Sequence, residues 1–199
     1  MHVGIDGRAF ATTRAARGVA HYTAAMLSAL ADAFPDDRYT VLVPDSGQAP
    51  ATLAASPAVR AHTTRVPGRL LYGAGALTGR PRLDRLLGGV DVVWSPAPAP
   101  LAVSGDLPLV LTLHDLSFAR RPHDFTRYER MWHALARPAT RARGAARVVA
   151  VSAATRELAL DRWELDPDRV VVVHPGVTHP AAQPAAATVA AARERYRLR

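Results

Sequence analysis

Cysteine is absent from all 199 residues. No disulfide framework, thiolate zinc site, iron–sulfur cluster or cysteine nucleophile can be built from this chain. A reducing compartment is compatible with that composition. Lysine is absent too, since the 25 basic residues are all arginine. Arginine, alanine and proline are favoured by GC-rich codons, so genome composition accounts for much of the sequence pI of about 11.0. The net charge of +8 keeps its physical meaning, an attraction to acidic surfaces and phosphates. Long apolar runs are also missing. No stretch approaches the roughly 18 residues of a membrane span, and the N-terminal run is too short for a signal peptide. The longest alanine-rich stretch, 181–192, is broken by Gln183 and Pro184. The expectation is a soluble, cytoplasmic protein with one well-cored domain.

Short apolar runs alternate with helical patterns. Residues 3–6, 39–43, 90–94, 109–113, 147–151 and 169–173 read as strands, and 59–66 is a further candidate. Val19, Tyr22, Met26, Leu27, Leu30 and Phe34 recur at three- and four-residue steps and predict one apolar helix face, stopped by Pro35-Asp36-Asp37. Phe125, Tyr128, Trp132, Leu135 and Ala139 predict another helix, kinked or split at Pro138, with its aromatics facing the core. Residues 8–18 form a polar loop, 44–47 a turn, and the glycine-rich stretch 67–81 reads mostly as loop. One or two helical turns are predicted over 82–87 and a helix over 153–163. Repeated strand–helix–strand order predicts an α/β fold, an open parallel sheet with helices on both faces. Ligands of such sheets sit beyond the carboxyl ends of the strands. Residues 175–187 are Pro/Ala-rich and read as a linker, followed by a charged helical stub.

Several motifs are absent: no complete G-x-G-x-x-G, no Walker loop, no H-E-x-x-H and no G-x-S-x-G elbow. Candidate residues remain at strand ends. Gly18 stands just before a helix, where backbone can approach a ligand and free amides can meet an anion, although a glycine there also serves a plain turn. His114-Asp115 follows the strand 109–113, which points the histidine into the ligand crevice, with a turn cap as the plainer reading. Metal chemistry is rejected for this pair, because metal phosphohydrolases draw further ligands from several helices. Ser152 is a preferred helix N-cap, and Ser152, Thr155 and Arg156 also lie where they can touch a ligand. Asp166-Pro167-Asp168 has a D-x-D look but sits in a proline turn at the amino end of a strand. Arg127, Arg130, Arg137 and Arg141 cluster on one arc if the helix stays straight, either a solvated face or a contact for anionic lipid headgroups or a phosphorylated acceptor.

Together V-G-I-D-G-R-A, G-V-A-H-Y-T, L-T-L-H-D-L-S-F, R-V-V-A-V-S-A-A-T-R-E-L and R-V-V-V-V-H-P-G-V resemble the N-terminal domain of family-4-type GT-B glycosyltransferases. The resemblance spans residues 3 to 177. It implies a Rossmann-like domain over 1–177, one half of a GT-B fold, and a linker with a helical stub over 178–199 leading toward a donor-binding domain. It further implies retaining, metal-independent transfer from a nucleotide-sugar, with no other cofactor, to a sugar or lipid-linked acceptor held mainly by this half. By that resemblance Gly18 nears the donor phosphate and acceptor, and His114, the expected catalytic residue, contacts the transferred sugar. Asp115, Ser152, Thr155 and Arg156 are the expected substrate-binding residues. The family's usual second glycine is Ala20 here, its usual arginine is His21, and its usual asparagine before Gly176 is Pro175.

Two other classes compete with the transferase. A non-catalytic module binding sugar or lipid headgroups is one, with peripheral contact to an anionic membrane at the inner face. An arginine-rich nucleic-acid binder ranks last, since that function needs a basic, aromatic-studded face and these arginines are scattered. The expected partners are therefore a nucleotide-sugar and an acceptor, not nucleic acid. The 199 residues alone are expected to be inactive in transfer.

Overall fold

A computed structural model describes residues 1–11, 18–44, 56–177 and 184–198. Seven parallel strands form one sheet in the order β3-β2-β1-β4-β5-β6-β7. They are β1 (His2–Asp6), β2 (Arg38–Val43), β3 (Val59–Thr63), β4 (Val92–Ser95), β5 (Leu109–Leu113), β6 (Arg147–Ala150) and β7 (Val170–Val172). The helices are α1 (Gly18–Ala33), α2 (Gly68–Thr78), α3 (Leu83–Leu86), α4 (Ser117–Arg120), α5 (Arg127–Ala136), α6 (Pro138–Gly144), α7 (Ala153–Trp163) and α8 (Ala186–Tyr196). This is a Rossmann-like α/β architecture, as expected. The loop 12–17, the turn residues 45–47 and the linker residues 178–183 lie outside the described residues.

Strand order and handedness decide which face each helix covers. From β1 the chain steps outward to β2 and β3, then crosses back to β4 and runs the other way to β7. Parallel crossovers are right-handed, so the two directions place α1 on one face and α2 to α7 on the other. Side-chain alternation agrees. Ile5, Val41, Val43 and Trp94 share a core with Leu27 and Ala31 of α1. Leu42 and Val93, their neighbours in sequence, pack with Leu71, Tyr72 and Leu83. Leu111, Leu113, Val148 and Ala150 pack with Ala142, Ala159 and Trp163 of α6 and α7.

On the α1 face the far half of the sheet stays open. Parallel strands are apolar on both faces because they are normally covered on both. Here Trp94, Val110, Thr112, Val149 and Val173 line a groove of about 530 Å³ beside α1. Its other wall is Tyr22, Met26, Leu30 and Phe34. The apolar stripe predicted for α1 is thus mostly a groove wall, and Phe34 is 56% exposed. The buried face is Ala20, Thr23, Leu27 and Ala31, where the small Ala20, Thr23 and Ala31 let the helix lie close to the sheet.

Two further expectations are corrected. The stretch 67–81 is not mostly loop, since it forms α2, closed by Gly79 in the left-handed region at φ 68°. Gly75 faces the loop 100–102, where a Cβ would stand in ordinary contact, 3.4 Å from the Ala102 amide nitrogen and 3.5 Å from the Pro100 carbonyl oxygen. The helix is split at Pro138 as predicted, with Arg137 at φ 44° ending α5 and Pro138 opening α6, so the arginine arc that a straight helix would carry is the expectation that fails. Arg141 therefore leaves the predicted arginine arc and donates from Nε to the Ala136 carbonyl at 3.0 Å, closing the end of α5. The start of α5 follows its sequence: Thr126 accepts from the Glu129 amide while Glu129 accepts from the Thr126 amide, a reciprocal cap.

Candidate active site at the carboxyl edge of the sheet

Strand order reverses between β1 and β4, and the crevice beyond the carboxyl ends at such a switch is where open α/β sheets hold ligands. His114 follows β5 at this edge. Its Nε2 lies 2.9 Å from the Pro96 carbonyl, in the loop after β4. A carbonyl only accepts, so Nε2 carries a proton and the neutral ring keeps Nδ1 as an acceptor. The ring meets Tyr22 of α1 edge-on, centroids 4.9 Å apart. His114 thereby joins the ends of β4 and β5 to α1, the element that Gly18 begins.

Thr155 fixes the backbone beneath that ring. Its hydroxyl donates to the His114 carbonyl at 3.2 Å and lies 3.0 Å from the Ser152 hydroxyl. Ser152 accepts from the Thr155 amide at 3.1 Å as the N-cap of α7. Asp115 accepts from the Ser117 amide at 2.7 Å, the predicted turn cap. Asp115 and Thr155 also line a hollow of about 390 Å³ with Ser117, Arg120, Arg121 and Asp124.

Gly18 and Arg156 need separate treatment. A Cβ at Gly18 would meet no described atom within 4 Å, so described packing does not require glycine there. The nearby glycine that packing does require is Gly7, where a Cβ would fall 2.6 Å from the Leu42 carbonyl oxygen. Arg156 is a correction. Its guanidinium donates to the Val170 carbonyl at 3.0 Å and the Pro167 carbonyl at 3.3 Å, at the amino end of β7. A side chain one helical turn past the cap reaches down α7, away from the carboxyl edge. The segment Asp166-Pro167-Asp168 is a turn, with Asp166 accepting from the Asp168 amide at 3.0 Å.

A second group of residues escaped the sequence reading. Asp6 ends β1 and is 2% exposed. It accepts from the Tyr72 hydroxyl and from the Arg8 amide, and its carboxylate lies 3.5 Å from Arg8 Nε. Arg8 also donates to the Pro98 carbonyl at 2.7 Å and stacks over Trp132 at 5.5 Å. Burial, then the Asp6 charge, raises the Tyr72 hydroxyl well above the ordinary tyrosine pKa, so it stays a donor.

Arg8 and Tyr72, both held by Asp6, form one side of a cleft of about 560 Å³, completed by Arg69, Tyr128, Trp132 and His133. Tyr128 faces this cleft, and Trp132 lines it while also packing against the core of Leu42, Leu71 and Tyr72, so the core-facing expectation holds for Trp132 and fails for the exposed Tyr128. Arg69 lies over the exposed Tyr128 ring at 5.3 Å. His133 stacks on Phe118 at 4.4 Å, and its Nδ1 is buried with no hydrogen-bond partner among the described residues. Burial and then the Arg8 charge lower its pKa, which keeps the ring neutral. Asp6 had a usable signal, a carboxylate at the carboxyl end of a strand, the logic that selected His114. The remainder gave none, since residues 8, 69 and 132 meet only through the fold.

Among the described residues no three His, Asp or Glu side chains gather as metal ligands would. No described helix is long and apolar enough to cross a membrane.

Comparison with known proteins adds to this geometry. No curated protein matches the chain. Solved structures do share its fold. Anabaena Alr3699/HepE in complex with UDP and glucose is 18% identical, with a TM-score of 0.54 over 98% of this chain and 50% of that one. The same protein with UDP-glucose gives 19% identity and a TM-score of 0.53, over 98% and 49% of the two chains. A glycosyltransferase from Rickettsia africae ESF-5 is 12% identical, with a TM-score of 0.52 over 100% and 49%. The chain thus spans about half the length of the structures it matches. The model of Glycosyltransferase Family 4 matches residues 16–179, and the chain belongs to that family.

Proposed function

We propose that this domain is the acceptor-side half of a retaining, metal-independent sugar transferase that uses a nucleotide-sugar donor. Family membership supports the reaction class. Relatives of twice the length, one of them holding UDP-glucose, support a second domain that grips the nucleotide. The bond between the sugar's anomeric carbon and the leaving phosphate breaks, and one to the acceptor hydroxyl oxygen forms. The hydroxyl proton leaves with the phosphate. In this reading the protein supplies no nucleophile, and it works by orienting the two substrates and stabilising developing charge.

The observation that carries the reading is the seat of His114. Held at Nε2 by Pro96, against Tyr22, and from below by Thr155, it is fixed at the switch point of the sheet. Its remaining nitrogen or ring edge is available to a hydroxyl of the transferred sugar. Contact by Gly18, Asp115, Ser152 and Thr155 with substrate belongs to the same proposal. Cytoplasmic work, with a lipid-linked acceptor met peripherally, follows from the nature of these substrates.

In the transfer-competent enzyme, His114→Ala should lower kcat by roughly 100-fold, the scale of losing one stabilising donor. The lost Pro96 bond should cost only about 1 kcal/mol of stability. Turnover and melting temperature measured on one preparation decide the matter. A normal kcat with a clearly lowered Tm makes His114 structural and overturns the assignment. The 199 residues by themselves should transfer no labelled sugar, because one wall of a cleft cannot orient both reactants.

A further inference from the structure

The cleft between β1, α2 and α5 has a composition of its own. One wall is aromatic: Tyr72 and Trp132 lie with ring centroids 6.1 Å apart, and Tyr128 stands beside them, 47% exposed. Exposed aromatic faces beside polar groups suit ligands that are apolar on one side and wet on the other. Sugar rings have that character, with C–H faces and hydroxyl rims.

The charges are arranged unequally. Arg8 is committed, shielded by Asp6 and pinned to the Pro98 carbonyl. Arg69 is different. It is exposed at the cleft mouth, lies over Tyr128, and has no carboxylate within 4 Å among the described residues. Arg127 and Arg130, exposed on α5 on either side of Tyr128 and Glu129, likewise form no ion pair among the described residues. The Glu129 carboxylate is engaged by the Thr126 amide and hydroxyl, each at 2.8 Å. Arg127 and Arg130 do not line the cleft, so Arg69 is the exposed guanidinium that its mouth offers beside the aromatic wall, and a guanidinium is well matched to phosphate oxygens.

We propose that this cleft is the acceptor subsite, and that the acceptor is a phosphorylated glycosyl group: its ring stacks on Tyr128 and Trp132 while its phosphate pairs with Arg69. The proposal rests on reading the domain as the acceptor half of a transferase. It goes further by fixing the charge and shape of the acceptor. The phosphate can belong to a soluble sugar phosphate or to the headgroup of a phospholipid such as phosphatidylinositol, since both present a polyhydroxylated six-membered ring beside a phosphate.

The 199-residue chain itself provides the test, through calorimetric and tryptophan-fluorescence titration. The probes are glucose 6-phosphate, glucose, and phosphatidylcholine vesicles doped with either phosphatidylinositol or phosphatidylserine. Binding of glucose 6-phosphate at least tenfold tighter than glucose is expected. Arg69→Ala should remove about tenfold of that preference, and Tyr128→Ala should weaken both sugars several-fold. Both sites are exposed, and unchanged circular dichroism and Tm verify that each variant folds. An Arg69-dependent preference for phosphatidylinositol over phosphatidylserine vesicles assigns the lipid source, whereas binding of the soluble phosphate alone assigns the free one. Equal binding of glucose and its phosphate, equal binding of both anionic vesicles, indifference to Arg69→Ala, or no binding at all overturns the proposal. Transfer to an uncharged acceptor in the complete enzyme would overturn it too and leave the transferase reading standing. Phosphate-dependent binding without any transfer would do the reverse.

Discussion

Two hollows of nearly equal size, about 530 and 560 Å³, are cut into this domain, and each is walled by the apolar stripe of one helix. The groove beside α1 takes Met26, Leu30 and Phe34 against Val110, Val149 and Val173. The cleft under α5 takes Tyr128 and Trp132 against Arg8, Arg69, Glu129 and His133. Their positions explain the contrast. The groove lies on a face of the sheet, where parallel strands carry apolar side chains because another layer normally covers them. The cleft lies at the carboxyl edge, where strands end, backbone turns away and polar side chains can point at a ligand. An apolar stripe on a helix therefore reports that something packs there, while the polar groups interleaved with it report whether that is protein or ligand.

The largest expected effect breaks the cleft side of this contrast. Asp6→Ala leaves the Arg8 guanidinium, 21% exposed, and the buried Tyr72 hydroxyl without their shared carboxylate. Removing one partner of such a buried pair costs about 3–5 kcal/mol. At roughly 2–4 °C per kcal/mol for a domain of this size, Tm should fall on the order of 10 °C. A fall within experimental error would mean that the Asp6 cluster does not hold the cleft wall.

Two changes on α1 sharpen the groove side. Leu27 is fully buried, and Leu27→Ala should cost about 2–5 kcal/mol. Phe34, on the predicted stripe but 56% exposed, should tolerate alanine within about 0.5 kcal/mol. Paired denaturant titrations check both, and equal losses would show that the stripe packs as core.

How far the sequence foretold this depends on whether a signal is local. Leu109–Leu113 and Ala153–Trp163 were legible to the residue, since a continuous apolar run and a serine-capped helix carry their own boundaries. The helix α2 was hidden because Gly73, Gly75 and Gly79 look like loop, and of these only Gly79 has a conformation that favours glycine, at φ 68°. The stripe on α1 was read correctly as apolar, yet periodicity marks a face without saying what lies opposite: Leu27 enters the core while Phe34 stands at the groove. Strand-end logic placed His114, Ser152 and Thr155 at the carboxyl edge, where hydrogen bonds join them, yet Arg156 is long enough to leave the edge. The cleft of Arg8, Arg69 and Trp132 had no local pattern to find.

The smallest effect concerns pH and again separates the hollows. His133 has its pKa lowered, by burial first and by the Arg8 charge second, with Glu129 and Asp115 pulling weakly the other way. The unfolded chain therefore binds this proton more readily than the folded one. The stabilising contribution of the neutral ring is complete above the unfolded pKa of about 6.5 and is lost as pH falls toward the folded value. Tm should decline from pH 7 to pH 5, and His133→Gln should make that slope shallower. An unchanged slope would show that the cleft histidine titrates as if in water.

The most direct measurement is an amide and indole chemical-shift map of the chain titrated with glucose 6-phosphate. If the carboxyl edge is the site of ligand chemistry, the moving signals will be those of Arg8, Arg69, Tyr128, the Trp132 indole and His114. Those of Leu30, Phe34 and Val149 in the groove will stay in place. Shifts confined to the groove, with the cleft silent, would contradict the assignment of the two hollows.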